Sequence, residues 1–295
     1  MSITITPLSD FLGAEVSGVE TRRPMNAGDL AAVEQAFLDY RVLRFRDGPM
    51  DVRELAAFSR QFGELQPHVQ RKFQHPEDPN VVEMRNFDDS GKFNLAAASR
   101  GAMEKLRDGW HSDLSYDEVP AKATLLHAVE LPSLGGNTCF SDATLAYESL
   151  SGATKQRLAG LMAEFSYGNN TRNKMTNVAA SSLDDQGRQT TTVVHPVVCA
   201  HPVTKRPAIY VNPLMTLRIL GIPVAESDAL LDELFDALDR PAVRWEQEWR
   251  IGDTIMWENR GGVMHCGRLD YPRNERRRFI RTTVRGQRIE MHAAD

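Results

Sequence analysis

From residue 122 onward the chain carries repeated short apolar runs bounded by glycine, proline, asparagine or aspartate, and no other feature constrains the fold as strongly. Residues 122–130, 138–140, 193–198, 208–211, 243–249, 254–257 and 277–284 have the length of strands and are rich in valine, isoleucine, threonine and aromatics. Strands this short bury apolar surface only when layered on one another. The pattern therefore predicts a sandwich or closed jelly roll, mainly β with flanking helices. Strands are also predicted at 3–7 and 41–45. Helices are predicted at 27–40 and 51–62, the first with Leu30, Val33 and Phe37 at helical spacing, and at 143–150, 155–162 and 226–238. Gly63 is placed as the C-cap of the second helix. Between 73 and 107, Pro, Asp, Ser and Gly mix without a period, so a long, partly irregular segment is expected there.

The 295 residues fit one large domain or two small ones, and a 41% hydrophobic fraction is enough for a sizeable core without disulfides or a structural metal. The net charge of −5 argues against nucleic acid as a partner, although Arg273, Arg276, Arg277, Arg278, Arg281, Arg285 and Arg288 crowd the C-terminal end. A solvated face is the plain reading of such a run. The three cysteines Cys139, Cys199 and Cys266 are odd in number, widely spaced and free of CxxC, which speaks for a reducing cytosol and against a disulfide framework or zinc ribbon. The first residues carry neither a basic stretch nor a long apolar run, and no run nears the roughly 18 apolar residues of a membrane span. A cytoplasmic protein with no membrane partner is expected.

Trp110-His111-Ser112-Asp113 is the first motif with chemistry in it. In an extended segment His111 and Asp113 project to one face, which sets an imidazole beside a carboxylate. Alone, the pair is weak evidence for a metal site, and a surface His–Asp contact is its plainer reading. Further on, Trp257-Glu258-Asn259-Arg260-Gly261-Gly262-Val263-Met264-His265 reads as a strand, a turn and a histidine. Two neutral imidazoles and one carboxylate form the facial triad of mononuclear non-haem iron enzymes. A structural zinc site would instead close a tetrahedron with four protein ligands. Cys266 would face away from His265 in a strand.

Arg277, Phe279 and Arg281 alternate along the last strand-like run. Strand periodicity puts Arg277 and Arg281 on one face, about 13 Å apart. Two inward guanidiniums need anions, and the guanidinium fork matches carboxylates. Periodicity alone equally allows the face of Arg278, Ile280 and Thr282 to point inward. His127, His195 and His201 lie on or near core strands and are read as structural. His292 is read as part of a frayed tail.

At these residues the chain resembles the taurine dioxygenase / 2,4-dichlorophenoxyacetate dioxygenase (TauD/TfdA) family of Fe(II)/2-oxoglutarate-dependent dioxygenases. The resemblance is carried by WHSDLSY (110–116), LLHAVELPSLGGNTCFSD (125–142), HPVVCAHPVTKRPAIYVN (195–212), and GDTIMWENRGGVMH with ERRRFIRTTV (252–284). It extends to LGAEVSGVE (12–20), VLRFRDG (42–48) and AFSRQFGEL (57–65). It implies a single domain over 1–295 with a double-stranded β-helix (jelly roll, cupin-like) core, and Fe(II) held by His111, Asp113 and His265. It implies 2-oxoglutarate and O2 as cosubstrates, with the distal carboxylate of 2-oxoglutarate on Arg277 and Thr138. Arg276 and Arg278 are rivals of Arg277 in the same run, and the register with RTTV favours Arg277. Arg281 is similar to the arginine that takes a substrate sulfonate or carboxylate, and His68 stands where some members place a substrate-contacting histidine.

The implied reaction hydroxylates a small, anionic substrate while 2-oxoglutarate becomes succinate and CO2. The retained Asp113 favours hydroxylation over halogenation, and the implied assembly is a homo-oligomer, dimer or tetramer. Two other readings fit the triad: a zinc cupin-like hydrolase or isomerase, and a non-catalytic sensor of 2-oxoglutarate or another anion. The zinc reading accounts for neither the two arginines on one strand nor Thr138, and no ligand position is lost as a sensor would require.

Overall fold

The computed structural model describes residues 3–68, 71–94, 102–167 and 192–293. Within them the strands are β1 (Thr4–Pro7), β2 (Ala14–Ser17), β3 (Val42–Phe45), β4 (Val81–Arg85), β5 (Ala102–Met103), β6 (Ala121–Glu130), β7 (Thr138–Asp142), β8 (Met162–Phe165) and β9 (Val193–Pro196). They continue as β10 (Val198–Ala200), β11 (Pro207–Ile209), β12 (Thr216–Ile219), β13 (Arg244–Gln247), β14 (Thr254–Glu258), β15 (Val263–Arg268), β16 (Arg278–Arg285) and β17 (Glu290–Met291). The helices are α1 (Ala27–Tyr40), α2 (Val52–Arg60), α3 (Ala143–Glu148), α4 (Gly152–Leu158) and α5 (Val224–Leu238). No helix among the described residues is long and apolar enough to cross a membrane.

Two sheets make the jelly-roll core. The larger runs β1-β2-β3-β14-β6-β16-β4, and the smaller runs β13-β7-β15-β5. Alternation along the larger sheet decides which side chains meet the smaller one. Val42, Leu126, Ala128, Ile255, Trp257 and Phe279 point inward and pack with Phe140 and Val263 of the smaller sheet. Their sequence neighbours Leu43, Leu125, Met256 and Ile280 point outward and pack beneath α1 and α2 with Phe37, Leu55 and Phe58. Each such large side chain fully withdrawn from water contributes about 2 kcal/mol, so a one-residue slip in any central strand would exchange both layers at once. This settles the direction of the arginine-bearing strand: Ile280 and Thr282 face α2, where Ser59 Oγ meets Thr282 Oγ1 at 2.6 Å, and Phe279 and Arg281 face the interior.

Side-chain caps fix where the flanking helices begin. Asn26 Oδ1 accepts from Asp29 N–H at α1, and Asp51 and Glu54 form a reciprocal capping box at α2. α2 ends at Arg60, three residues before Gly63, and Gln61 is its C-cap, so Gly63 is not the cap expected of it. The helix expected at 155–162 lies earlier, because Ser151 Oγ caps it through Thr154 N–H, and Met162 already opens β8. The segment 73–107 is less irregular than its composition suggests: β4 pairs antiparallel with β16 along the sheet edge, and residues 95–101 lie outside the described ones. Nor is residue 292 frayed. Its N–H donates to Val198 O at 3.2 Å, and its ring packs edge-on against Tyr147.

Candidate metal centre

His111 and His265 meet across a single antiparallel bridge. His111 N–H donates to His265 O at 3.1 Å, and His265 N–H donates to His111 O at 2.9 Å. Directly opposed residues of an antiparallel pair hold their side chains together, and the two rings lie 4.0 Å apart at 44°. His265 is held by β15 in the middle of the smaller sheet and wedged against Trp257 at 4.6 Å. His111 is aimed by Gly109, whose carbonyl accepts from its Nδ1 at 2.8 Å. A Cβ at Gly109 would lie 2.5 Å from Cys266 Sγ and from Met103, so only glycine brings that carbonyl so close. The bond fixes the tautomer and leaves Nε2 as a donor atom.

Asp113 completes the cluster: ligand atoms of His111, Asp113 and His265 all lie within 4.8 Å of one another, and all three side chains are buried. Asp113 Oδ2 is 3.7 Å from His265 Nε2. The chain turns away directly afterwards through Leu114, whose φ of 58° is a left-handed conformation that a leucine adopts only under constraint. Burial opposes ionisation of Asp113. The adjoining His265, Arg281 and His111 and the Thr124 hydroxyl outweigh it, holding the carboxyl well below its ordinary range. Burial lowers the pKa of His111, and burial with the neighbouring His111 brings His265 down to about 3. Near neutral pH the cluster is one carboxylate and two neutral imidazoles, the protonation states that a divalent metal requires.

The donor set fits Fe(II). Neither ring nitrogen of His265 has a hydrogen-bond partner among the described residues, and its Nδ1 is wholly buried. Buried imidazoles elsewhere in the chain are engaged, as His127 is with Met50 N–H and the Thr254 hydroxyl. A buried ring left without partners is costly unless something binds it. Cys266 points away toward Gly109, and burial pushes its thiol up to about 12, so no thiolate joins the set.

The two arginines meet protein groups as well as offering themselves to anions. Arg281 Nη1 donates to Asp113 Oδ1 at 3.2 Å, while its Nε is buried without a partner. Arg277 donates through Nε and Nη2 to the Gly136 carbonyl at 3.1 and 3.0 Å and lies 4.2 Å over the Phe279 ring. Gly136, at φ +71°, turns that carbonyl toward it. Arg277 pairs with no carboxylate among the described residues; burial brings its guanidinium down to about 10, still cationic at neutral pH. Of its rivals, Arg278 pairs with Glu83 on β4, and Arg276 stacks over Phe87. Thr138 opens β7 two residues after Gly136, with its Oγ1 accepting from Trp249 Nε1 at 3.1 Å. His68 has its ring edge-on to Phe73 at 5.0 Å and its carbonyl accepting from Gln74 Nε2.

Sequence reading missed the groups behind these. Thr124 and Asn259 bind Asp113, Gly109 aims His111, and Trp249 holds Thr138. Asn259 sits in the turn that leads to His265, and Thr124 lies two residues before the inward Leu126 in β6, so position was a signal for both. Their partners are drawn together by the fold from distant parts of the chain, and no spacing rule reaches that far.

A jelly roll with two histidines and one carboxylate gathered at its inner face has the architecture of mononuclear non-haem iron oxygenases. The profile of the taurine catabolism dioxygenase TauD, TfdA family matches residues 4–283, and the chain belongs to that family. Its relatives include an alpha-ketoglutarate-dependent 2,4-dichlorophenoxyacetate dioxygenase of Burkholderia sp. (strain RASC), 30% identical over 294 residues, covering 99% of this chain and 97% of the relative. An (S)-phenoxypropionate/alpha-ketoglutarate-dioxygenase of Sphingobium herbicidovorans is 30% identical over 261 residues, covering 87% and 86%. Among solved structures, AAD-2 in complex with Mn(II) and N-oxalylglycine superposes with a TM-score of 0.82 at 27% identity over 100% of both chains. The family's cofactor set is Fe(II), 2-oxoglutarate and O2.

Proposed function

We propose that this chain is a 2-oxoglutarate-dependent dioxygenase that hydroxylates a small carboxylate or sulfonate, with His111, Asp113 and His265 holding Fe(II). The observation that carries the reading is the convergence of two imidazoles and one carboxylate within 4.8 Å, beside Arg281. Bound Fe(II), with 2-oxoglutarate and O2, supplies the oxidising chemistry that puts one oxygen atom into a substrate C–H bond and the other into succinate, releasing CO2.

In this reading the chain's own groups bind and orient. Arg277 has donated Nε and Nη2 to Gly136, and its remaining Nη1 is directed to the distal carboxylate of 2-oxoglutarate. Thr138 Oγ1 accepts from Trp249, so its own proton is free to be donated to that carboxylate. Arg281, with an unpartnered buried Nε, takes the substrate anion, and His68 contacts the same substrate. Trp257, Phe140 and Phe279 keep the interior dry, which strengthens each of these charged contacts. Relatives named for a phenoxyacetate, a phenoxypropionate and a sulfonate support the choice of substrate class. Three free, buried cysteines support a cytoplasmic location.

The test is Fe(II)-dependent succinate formation across aryloxyalkanoates, sulfonates, amino-acid derivatives and other small carboxylates. Substrate-dependent turnover is expected, abolished in His111→Ala. In Arg281→Ala the half-saturating concentration of the anionic substrate should rise at least about thirtyfold, the loss of one buried charge partner, and that of the cosubstrate far less. Equal loss of both would contradict the division between Arg277 and Arg281, and turnover with zinc alone would replace the oxygenase reading with a hydrolase.

A further inference from the structure

We propose that Asn259 and Thr124 are positioning residues that set the affinity of the metal centre by fixing the Asp113 carboxylate from the rigid larger sheet; this rests on the reading that Asp113 is a metal ligand. Three hydrogen bonds determine one another. Asp113 N–H can only donate, and it meets Asn259 Oδ1 at 3.0 Å, so the amide's oxygen faces residue 113 and its NH2 faces the other way. Asn259 Nδ2 then donates to Thr124 Oγ1 at 3.0 Å. The Thr124 hydroxyl, already accepting, turns its proton to Asp113 Oδ2 at 2.6 Å. Ser112 adds its hydroxyl to the Asn259 carbonyl at 2.8 Å. The loop of bonds therefore starts at the Asp113 backbone and returns to the Asp113 side chain, through groups that are fully buried.

The carboxylate oxygen that Thr124 holds is the one facing His265. The other oxygen is held by Arg281. Without Thr124, the carboxylate is free to rotate onto the guanidinium fork, whose geometry favours both oxygens, and so away from the imidazoles. Thr124 stands on β6 and Asn259 follows β14, adjacent strands of the larger sheet. The turn carrying Asn259 is itself tied down: both Glu258 carboxylate oxygens accept from Arg260 N–H, and Oε2 also accepts from Gly262 N–H. Polar groups that orient metal ligands are typically worth 10–100-fold in metal affinity.

The test titrates metal-stripped full-length protein with Mn(II), reading free Mn(II) by electron paramagnetic resonance without substrate or O2, alongside the melting temperature of the stripped protein. Thr124→Val, which keeps shape and loses the hydroxyl, is expected to weaken Mn(II) about 10–100-fold, while Thr124→Ser stays within about twofold of the parent. Asn259→Ala should also weaken binding, and the double variant should lose no more than Asn259→Ala alone, because the two groups act in series. A Thr124→Val affinity equal to the parent's, a Thr124→Ser loss as large as that of Thr124→Val, or a double variant that multiplies the single losses would overturn the proposal. If Thr124→Val does not fold, Thr124→Ala carries the same comparison with Thr124→Ser. Failure of the parent itself to bind Mn(II) would instead sink the reading of the centre as a metal site.

Discussion

Thr138 shows how one hydrogen bond decides what a hydroxyl can do. Threonine Oγ both donates and accepts, and left alone it would rotate to suit any partner. The Trp249 indole can only donate, and it does so to Thr138 Oγ1 at 3.1 Å, so the Thr138 proton is pre-set for an acceptor. A carboxylate is such an acceptor, and orientation fixed before binding lowers the entropic cost of recognition. Trp249→Phe, which keeps the edge-on packing against Phe279, is expected to raise the half-saturating concentration of 2-oxoglutarate about fivefold, the worth of roughly one neutral hydrogen bond, with little change in kcat. Saturation curves in 2-oxoglutarate check it, and a fall in kcat at unchanged half-saturation would refute it. At this scale the three residues proposed as ligands were legible in the sequence because metal chemistry needs particular side chains, and HSD and the strand-turn-His run advertise them. Trp249 and Thr124 were not, because tryptophan and threonine are ordinary core residues, and their role depends on which partner the fold delivers.

The β6–β14 pair and the approach to α2 are joined by one buried imidazole. His127 Nε2 accepts from Met50 N–H at 2.9 Å, so Nδ1 carries the proton and donates to the Thr254 hydroxyl at 2.8 Å. Protonating Nε2 would break the first bond and leave a buried N–H facing a cation. Burial accordingly lowers the pKa of His127 from 6.5 to about 4. Between those values the unfolded chain binds a proton that the folded chain refuses. The stabilisation is complete above pH 6.5 and is lost as pH falls toward 4, by about 2 kcal/mol between pH 7 and pH 5 for this site. His127→Gln, whose amide oxygen can take the Met50 bond and does not titrate, should lose that much less over the same interval in urea unfolding; parallel pH profiles for the two proteins would refute the assignment. Elements themselves were legible where a period was long enough: α1 has the limits its spacing predicted, and β3, β6, β14 and β16 of the larger sheet stand on the apolar runs that predicted them. β4 was hidden because its two buried residues, Val81 and Val82, are consecutive and set no alternation, and β5 because two residues carry no period.

At the scale of the molecule, the proposed metal site adds a further tie between two sheets that already pack on each other. His265 belongs to the smaller sheet, while Asp113 is tied through Thr124 and Arg281 to the larger one. Between them residues 109–113 are attached to the smaller sheet by the His111–His265 bridge and to the larger by Asn259. An ion bound by all three ligands closes this assembly. The unfolded chain, with its ligands dispersed, cannot bind in the same way, so binding energy becomes folding energy. At a free Mn(II) concentration a hundred times Kd the gain is about 2.7 kcal/mol, or about 5 °C in melting temperature for a chain of this size. The gain should grow with the logarithm of metal concentration and be reversed by a chelator. His265→Ala should melt at one temperature with or without metal, since two ligands on one short segment cannot bridge the sheets. Hydrogen exchange locates the effect: protection gained on loading should concentrate at residues 109–117 and in β15. Uniform protection across the chain, or a metal-dependent rise that persists in His265→Ala, would mean that the ion binds elsewhere.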